Sequence, residues 1–284
     1  MQSQQPPSNG QSGGQSQSSS AHPEHTWVAA ALGLPNVAPQ WWSQAQPIAK
    51  TAEFRDAVEA MRRKAADCLR AVYAVPDHLP FLLRRGLSGE IPRIKKLVIA
   101  FDRSAAAALL MISGMARSAA GGVAHPRGKL TPTAAGEPDP VALQLASAAN
   151  GVPEALADVS AVLGAPAEAT VFGAFARWPE YAEFAWSKAK ALAVSPAYGP
   201  LNERLVAVAG ALSGELPWPA APAGVGVTEL APVQRHAAAH VAVLAAMRLG
   251  LAIPDGWRAD VEPVPPLRLN PAGDHTARRP AQTA

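Results

Sequence analysis

An internal repeat constrains the fold of this chain more than any other feature of its sequence. Residues 34–68 superpose on residues 178–212 when the chain is shifted by 144 positions. The pair Trp42-Ser43 then meets Trp186-Ser187, and the other identities are Pro35 with Pro179, Ala38 with Ala182, Ala45 with Ala189, Ala49 with Ala193, Glu59 with Glu203 and Ala65 with Ala209. Alanine-rich segments match readily by chance, so the proline, Trp-Ser and glutamate matches carry the argument. The sequence therefore predicts a duplicated unit.

A second register extends the repeat. Shifted by 139 positions, residues 88–104 fall on residues 227–243, with Glu90 on Glu229 and Ile94 on Val233. The Gly- and Pro-rich stretch between the units is typical of a linker, and the Gln/Ser/Gly-rich beginning and Pro-rich end are typical of disordered tails. The predicted organisation is a tail (1–25), repeat 1 (26–117), a linker (118–151), repeat 2 (152–252) and a polar tail (253–284).

Each unit has the apolar spacing of amphipathic helices. Residues 53–73 place apolar side chains from Phe54 to Val72 at i, i+3 and i+4, with Arg62 and its neighbours on the opposite, solvated face. Residues 90–117 carry a second apolar stripe that runs from Ile91 past Ala105. Alternating β patterns are absent from the sequence. The predicted fold class is all-α, with two pseudo-symmetric helical repeats that form an internal pseudo-dimer.

Composition narrows the compartment and the partners. The chain has 284 residues, 49% of them hydrophobic, and its net charge of +3 comes from scattered short basic runs, which we interpret as solvated faces and not as a nucleic-acid surface. Cys68 is the only cysteine, so we expect a buried thiol and a reducing compartment. Residues 1–22 lack the features of a secretory signal, and Asp102 interrupts the apolar stretch 97–115. We therefore expect a cytoplasmic protein that does not span a membrane.

Two segments resemble a known enzyme family. GAPAEATVFGAFARWPEYAEFAWSKAKALAVSPAYGPLNERL (164–205) and GEIPRIKKLVIAFDRS (89–104), together with the duplication, resemble the group I 2-haloacid dehalogenases. The resemblance implies an all-helical pseudo-dimer without metal or organic cofactor, a small carboxylate as substrate and assembly into a homodimer. It also implies a reaction in which a buried Asp activates a water that displaces halide directly from the carbon next to the carboxylate.

When the site residues of the family are aligned with this sequence, two of the catalytic positions carry apolar residues. The family's Asp falls on Val171 and the Ser before it on Thr170, while the Asn that helps to hold the water falls on Ala105. The active-site Tyr of the last long helix falls on His240, and Trp27 lies about one helical turn from an expected aromatic residue. We therefore name no confirmed catalytic residue; the pocket candidates are Thr170, Val171, Ala105, His240 and Trp27.

Other polar residues could replace the missing base. His236 and His240 share a helix face, but a third ligand is needed for zinc, so we interpret them as structural histidines and predict no metal site. His240 could instead act as a general base, because imidazole titrates near neutrality. Asp102 is expected in a surface ion pair beside Arg103, and Glu59 is expected to be exposed or in a salt bridge.

Two classes of function follow from these residues. One is a dehalogenase-like hydrolase, or a relative with altered chemistry, that encloses a small carboxylic acid between the repeats. The other is a non-catalytic descendant of that fold that binds a small molecule or a partner protein. A base is needed to remove the proton of an attacking water, and valine cannot accept one.

Overall fold

Nine α-helices make up the part of the chain that the structure describes. A computed structural model describes residues 37–122, 130–132, 158–163, 170–255 and 257. The helices are α1 (Val37–Ala49), α2 (Ala52–Arg70), α3 (Leu79–Arg84), α4 (Ile91–Ala119), α5 (Val159–Leu163), α6 (Val171–Ala174), α7 (Pro179–Ala193), α8 (Tyr198–Ser213) and α9 (Val227–Gly250). Short 3₁₀ helices precede α4 (Ser88–Glu90) and α7 (Phe175–Arg177). These residues contain no β-strand, which confirms the predicted all-α class.

Local sequence explains where the helices begin. Thr51 is the N-cap of α2, and its Oγ1 accepts a hydrogen bond of 3.2 Å from the Phe54 amide, which satisfies one of the free donors of the first turn. Pro179 opens α7, where a missing N–H costs nothing because the first turn has no intrahelical acceptor for it. The predicted inner face of α2 is confirmed from Phe54 to Leu69, whereas Val72 lies beyond the helix end and is 47% exposed.

Helices α4 and α9 form the centre of the fold and pack more extensively against each other than any other pair. The segment Ser88–Ala119 is long and apolar enough to cross a membrane by length and composition, and 61% of its apolar window is buried inside the protein. Burial of this kind is also found in the core helices of soluble proteins, so the hydropathy of α4 is explained by its place in the core.

The buried side chains form two clusters. Core 1 lies among α1, α2, α8, the second half of α4 and one face of α9 from Leu230 to Ala246, and it contains the buried Cys68. Core 2 lies among α3, α5, α6, α7, the first half of α4 and the end of α9. Ala105 and Tyr198 pack against both clusters. We call the boundary marked by these two residues the seam.

The predicted duplication relates α1 to α7, α2 to α8 and α4 to α9. The partners within two of these pairs pack against each other, since α2 contacts α8 and α4 contacts α9. A two-fold relation places equivalent surfaces together in this way, but the duplication and the predicted domain boundaries stay predictions. Both predicted tails lie mainly outside the described residues, although Ile253 is buried in core 2.

Trp186 is a core residue that also holds a neighbouring segment. It is 2% exposed, meets the Phe172 ring edge to face at 5.1 Å, and donates its indole N–H to Asp158 Oδ1 at 2.7 Å. Trp186 therefore packs in the interior of core 2. The side chain of its repeat partner, Trp42, lies outside the described residues.

Candidate functional site

Thr170 and Val171 begin the short helix α6 at the edge of core 2. The Thr170 hydroxyl caps the helix by accepting a hydrogen bond of 3.2 Å from the Phe172 amide. Val171 is 3% exposed and belongs to the apolar cluster of core 2 together with Leu163 and Phe172. The position at which the resemblance places a catalytic carboxylate is therefore an enclosed apolar one.

Ala105 lies midway along α4, at the seam. Its methyl group packs against both core clusters and is only partly buried. Because α4 contacts α6 directly, Ala105 and Val171 belong to neighbouring layers of the same region. Neither side chain can hydrogen-bond a water, so these two predicted positions supply shape and apolar surface but no proton acceptor.

His240 is buried in α9, next to core 2. Burial is the main cause that lowers the pKa of His240 to about 4. The charge of His236 lowers this pKa further, whereas a hydrogen bond with the backbone of Leu163 raises it. The imidazole is therefore neutral at pH 7. His236 is exposed, so the two imidazoles differ in environment although they are one helical turn apart.

The predicted site residues are brought together only in part. Thr170, Val171 and Ala105 all border core 2, and His240 joins them through Leu163, whose side chain lies in that cluster. Trp27 lies outside the described residues. Within the described ranges, no group of three His, Cys, Asp or Glu side chains could hold a metal ion.

The expectation for Asp102 is wrong. Its side chain is completely buried, and Oδ2 accepts a hydrogen bond of 2.7 Å from Arg62 Nε and lies 3.2 Å from Arg248 Nε. Arg62, expected on the solvated face of α2, is 2% exposed, and Arg248 is 1% exposed. The burial of α2, α4 and α9 against one another encloses these charges, and each is accommodated because an opposite charge is adjacent.

Further charged groups balance this buried cluster. Glu59, which is partly exposed, bonds Arg62 and also accepts a hydrogen bond of 3.0 Å from Arg103, so the expected salt bridge of Glu59 is confirmed. Arg248 pairs with Asp255 and donates a hydrogen bond of 2.8 Å to the Arg62 carbonyl. Burial alone would lower the pKa of Arg62, but the carboxylates of Asp102 and Glu59 outweigh it and raise that pKa. The cluster therefore ties α2, α4 and the residues after α9 together.

A second buried pair joins α7 to the loop before α3. His78 Nδ1 lies 3.1 Å from the hydroxyl of Tyr181, and both side chains are almost completely buried. Burial is the main cause that lowers the pKa of His78 to about 4. The charge of Asp77 raises this pKa, and the charge of Lys188 lowers it. Burial also raises the pKa of Tyr181. At pH 7 both groups are uncharged, so the tyrosine and the imidazole can share a neutral hydrogen bond.

His78 also lines a shallow crevice between the α2–α3 loop, α7 and α9. Tyr73, Pro76, Lys188 and Met247 contribute to its walls. The His78 amide donates a hydrogen bond of 2.7 Å to the Gly250 carbonyl, and a side chain at residue 250 would collide with Pro76 and His78. The close packing explains the glycine. Sequence analysis did not single out His78 or Tyr181, because they are 103 residues apart and belong to no motif.

Two curated proteins are similar to this chain in sequence, whereas no family model matches it. An (R)-2-haloacid dehalogenase of Rhizobium sp. (strain NHG3) is 27% identical over 192 residues, which are 66% of this chain and 75% of that protein. An (R)-2-haloacid dehalogenase of Pseudomonas putida is 27% identical over 184 residues, 60% of this chain and 61% of that protein. This chain therefore spans about three fifths of the length of the second relative.

Solved structures agree on the fold. A D-2-haloacid dehalogenase mutant in complex with D-2-CPA superposes with a TM-score of 0.58 at 21% identity, over 80% of this chain and 82% of that one. A D-2-haloacid dehalogenase with L-LA superposes with a TM-score of 0.56 at 20% identity, over 80% and 83% of the two chains. At this level of identity the structural similarity establishes the helical architecture only.

Proposed function

We propose that this chain binds a small 2-substituted carboxylic acid and does not hydrolyse it by the reaction of the 2-haloacid dehalogenases. The premise is that the chain is a 2-haloacid dehalogenase-like protein. The observation that carries this proposal is the enclosure of Val171 among the apolar side chains of core 2. By the resemblance, this is the position of the family's base. The relatives are named for the (R) stereoisomer, so we propose that this isomer binds preferentially.

The chemistry of halide displacement explains why a base is decisive. When water attacks a saturated carbon, it must lose a proton as the new C–O bond forms and the halide leaves. A positioned general base contributes about 10²–10⁴-fold to such a step. Val171 and Ala105 offer none, and Asp102 is held by two buried guanidinium groups. The proposed protein therefore retains a binding region and lacks the group that would activate water.

The proposal is tested by measuring binding and turnover separately. (R)- and (S)-2-chloropropionate are titrated into the protein by ligand-observed NMR, and chloride release is followed at pH 7 with one of the curated relatives as a positive control. We expect (R) to bind with a Kd no tighter than about 0.3 μM, because its six non-hydrogen atoms gain at most about 1.5 kcal/mol each, or about 9 kcal/mol in all. Chloride should not be released above the rate in buffer. Release at the rate of the relative would refute the proposal.

A second candidate function is hydrolysis with His240 as the base. The observation in its favour is that the His240 imidazole is neutral and is held next to core 2 by the backbone of Leu163. If chloride release is found, His240→Phe should lower it by about 10²–10⁴-fold. His236→Phe, one turn earlier and exposed, is the matched control and should leave the rate unchanged. Equal rates for wild type and His240→Phe would exclude this candidate.

Restoring the family's groups separates a lost base from a lost pocket. Val171→Asp combined with Ala105→Asn supplies a carboxylate and an amide at the two positions. Val171→Asn combined with Ala105→Asn is the matched control, since Asn has nearly the same shape as Asp but cannot accept the proton. We expect chloride release from the first variant only. If neither variant binds 2-chloropropionate, the pocket itself differs from that of the family.

We further propose a cytoplasmic homodimer that needs no metal or organic cofactor and binds neither nucleic acid nor membranes. Support comes from the resemblance and from the absence of a basic surface run in the sequence. Light scattering after size-exclusion chromatography measures the mass. Binding of 2-chloropropionate that survives dialysis against EDTA would agree with metal independence, and loss of binding would contradict it.

A further inference from the structure

Two polar atoms of the buried charge cluster have no hydrogen-bond partner among the described residues. They are Asp102 Oδ1, on a side chain that is 0% exposed, and Arg248 Nε, on a side chain that is 1% exposed. Arg62 Nε and Arg248 Nε both approach the other carboxylate oxygen, Oδ2, and the 3.2 Å contact of Arg248 lacks hydrogen-bond alignment. Buried polar atoms are paired in the large majority of cases, because each loses its hydrogen bonds to water on burial. An acceptor and a donor left over in one cluster indicate a bound molecule that bridges them.

The two atoms are close enough for one small molecule to bridge them. The oxygens of a carboxylate share one carbon and are about 2.2 Å apart, since each C–O bond is about 1.25 Å long. Arg248 Nε lies 3.2 Å from Oδ2, so it is at most about 5.4 Å from Oδ1. A water that accepts one hydrogen bond and donates another, each about 2.8–2.9 Å long, spans up to about 5.7 Å. The separation therefore suits a single water.

Small side chains flank the cluster on its three helices. On α2, α4 and α9 the residue one turn away on the same face as the charged side chain is a completely buried alanine, namely Ala66, Ala106 and Ala245. Methyl groups leave more space beside the carboxylate than any longer side chain would. Glu59 and Asp255, which bond the Nη1 atoms of the two arginines, are 26% and 44% exposed. Solvent therefore borders the cluster, and a water can enter when these side chains move.

The polarity of the two atoms selects the molecule. Arg248 Nε can only donate a hydrogen bond, whereas a carboxylate oxygen accepts one. A halide or a carboxylate cannot donate, and an ammonium ion cannot accept, so none of these can bridge the two atoms. Water does both, and a buried water needs two to four polar partners. We infer that a structural water bridges Arg248 Nε and Asp102 Oδ1 and links α9 to α4 within the charge cluster. The inference does not depend on the proposed function, because none of the predicted pocket residues contributes to the bridge.

The first test is a crystal structure of the wild-type protein at a resolution at which ordered waters are visible. We expect the electron density of a water within about 3.2 Å of both Asp102 Oδ1 and Arg248 Nε. A direct hydrogen bond between Oδ1 and a protein donor would overturn the inference, and so would the lack of density for a water at that position.

The second test counts long-lived waters in solution by magnetic relaxation dispersion of the oxygen nuclei of water. Asp102→Leu removes both carboxylate oxygens and keeps the branching of the side chain, so it should lose one long-lived water relative to wild type. Asp67→Leu is the matched control, because Asp67 also pairs with an arginine but is 62% exposed, and it should keep the wild-type count. Equal counts in all three proteins would contradict the inference. If Asp102→Leu does not fold, the density in the wild-type crystal structure decides.

Discussion

Removal of Asp102 should destabilise the protein far more than removal of an exposed carboxylate. Asp102 is completely buried between Arg62 and Arg248, which are themselves 2% and 1% exposed. In Asp102→Ala, Arg62 keeps Glu59, and Arg248 keeps Asp255 and the Arg62 carbonyl. Each guanidinium nevertheless loses its buried partner.

The size of the effect follows from these contacts. The variant loses one charge-assisted hydrogen bond, Arg62 Nε to Oδ2 at 2.7 Å, and one ion pair, Arg248 Nε to Oδ2 at 3.2 Å. Removing one partner of a buried pair typically costs about 3–5 kcal/mol, because the remaining charge is uncompensated. The retained contacts of both arginines place the expected loss near the lower end, about 3 kcal/mol.

Asp67→Ala is the matched control on the neighbouring helix. Asp67 also pairs with an arginine, Arg70 at 3.3 Å, but the two side chains are 62% and 54% exposed. An exposed pair of this kind contributes about 0–1 kcal/mol. The free energy of unfolding of wild type and both variants is measured by urea titration with circular dichroism at pH 7. If Asp102→Ala and Asp67→Ala differ by less than about 1 kcal/mol, burial does not make the charge cluster more important for stability than an exposed ion pair.

Two further predictions concern packing and pH. A Cβ added at Gly114 would lie 2.4 Å from the indole of Trp218, so Gly114→Ala should lower the free energy of unfolding by about 1–3 kcal/mol. Gly210→Ala meets no atom within 4 Å and should be neutral or stabilising by up to about 1 kcal/mol; the reverse order would refute the packing argument. Burial lowers the pKa of His78 and of His240 to about 4, below the ordinary 6.5. Between pH 4 and pH 6.5 the unfolded chain therefore binds more protons than the folded protein. The free energy of unfolding should have its full value above pH 6.5 and should fall by roughly 1.4 kcal/mol per pH unit for each histidine down to about pH 4. Urea titrations across this range should show a shallower slope for His240→Phe than for wild type, and an unchanged slope would contradict the buried neutral state.

The helical architecture could be predicted because it depends on local spacing. The apolar positions of α2 recur at helical intervals and are buried from Phe54 to Leu69, whereas Val72 is exposed. On α4 the predicted stripe is buried at Val98 and Leu109 but only partly buried at Ala105. Charged residues were harder to place. Asp102 lies beside Arg103 in the sequence and suggests a surface pair, yet the contacts that bury it come from Arg62, 40 residues away, and from Arg248.

The candidate site was predicted in part for the same reason. The resemblance named Thr170, Val171, Ala105 and His240, which border core 2 or are linked to it. It could not indicate the His78–Tyr181 pair, since no spacing rule joins residues from a loop and a distant helix. Nor could it indicate that Tyr198 lies at the seam, because that position depends on how α8 packs between the two clusters.

The sequence by itself determined the all-α class, the resemblance to the 2-haloacid dehalogenases and the apolar identity of Val171 and Ala105, because residue types and helical periodicity are local properties of the chain. The predicted repeat also rests on sequence alone. Tertiary structure decided which charges are buried and which histidines are neutral. Those properties depend on the removal of water and on partners distant in sequence, and only the packing of α2, α4, α8 and α9 brings such partners together.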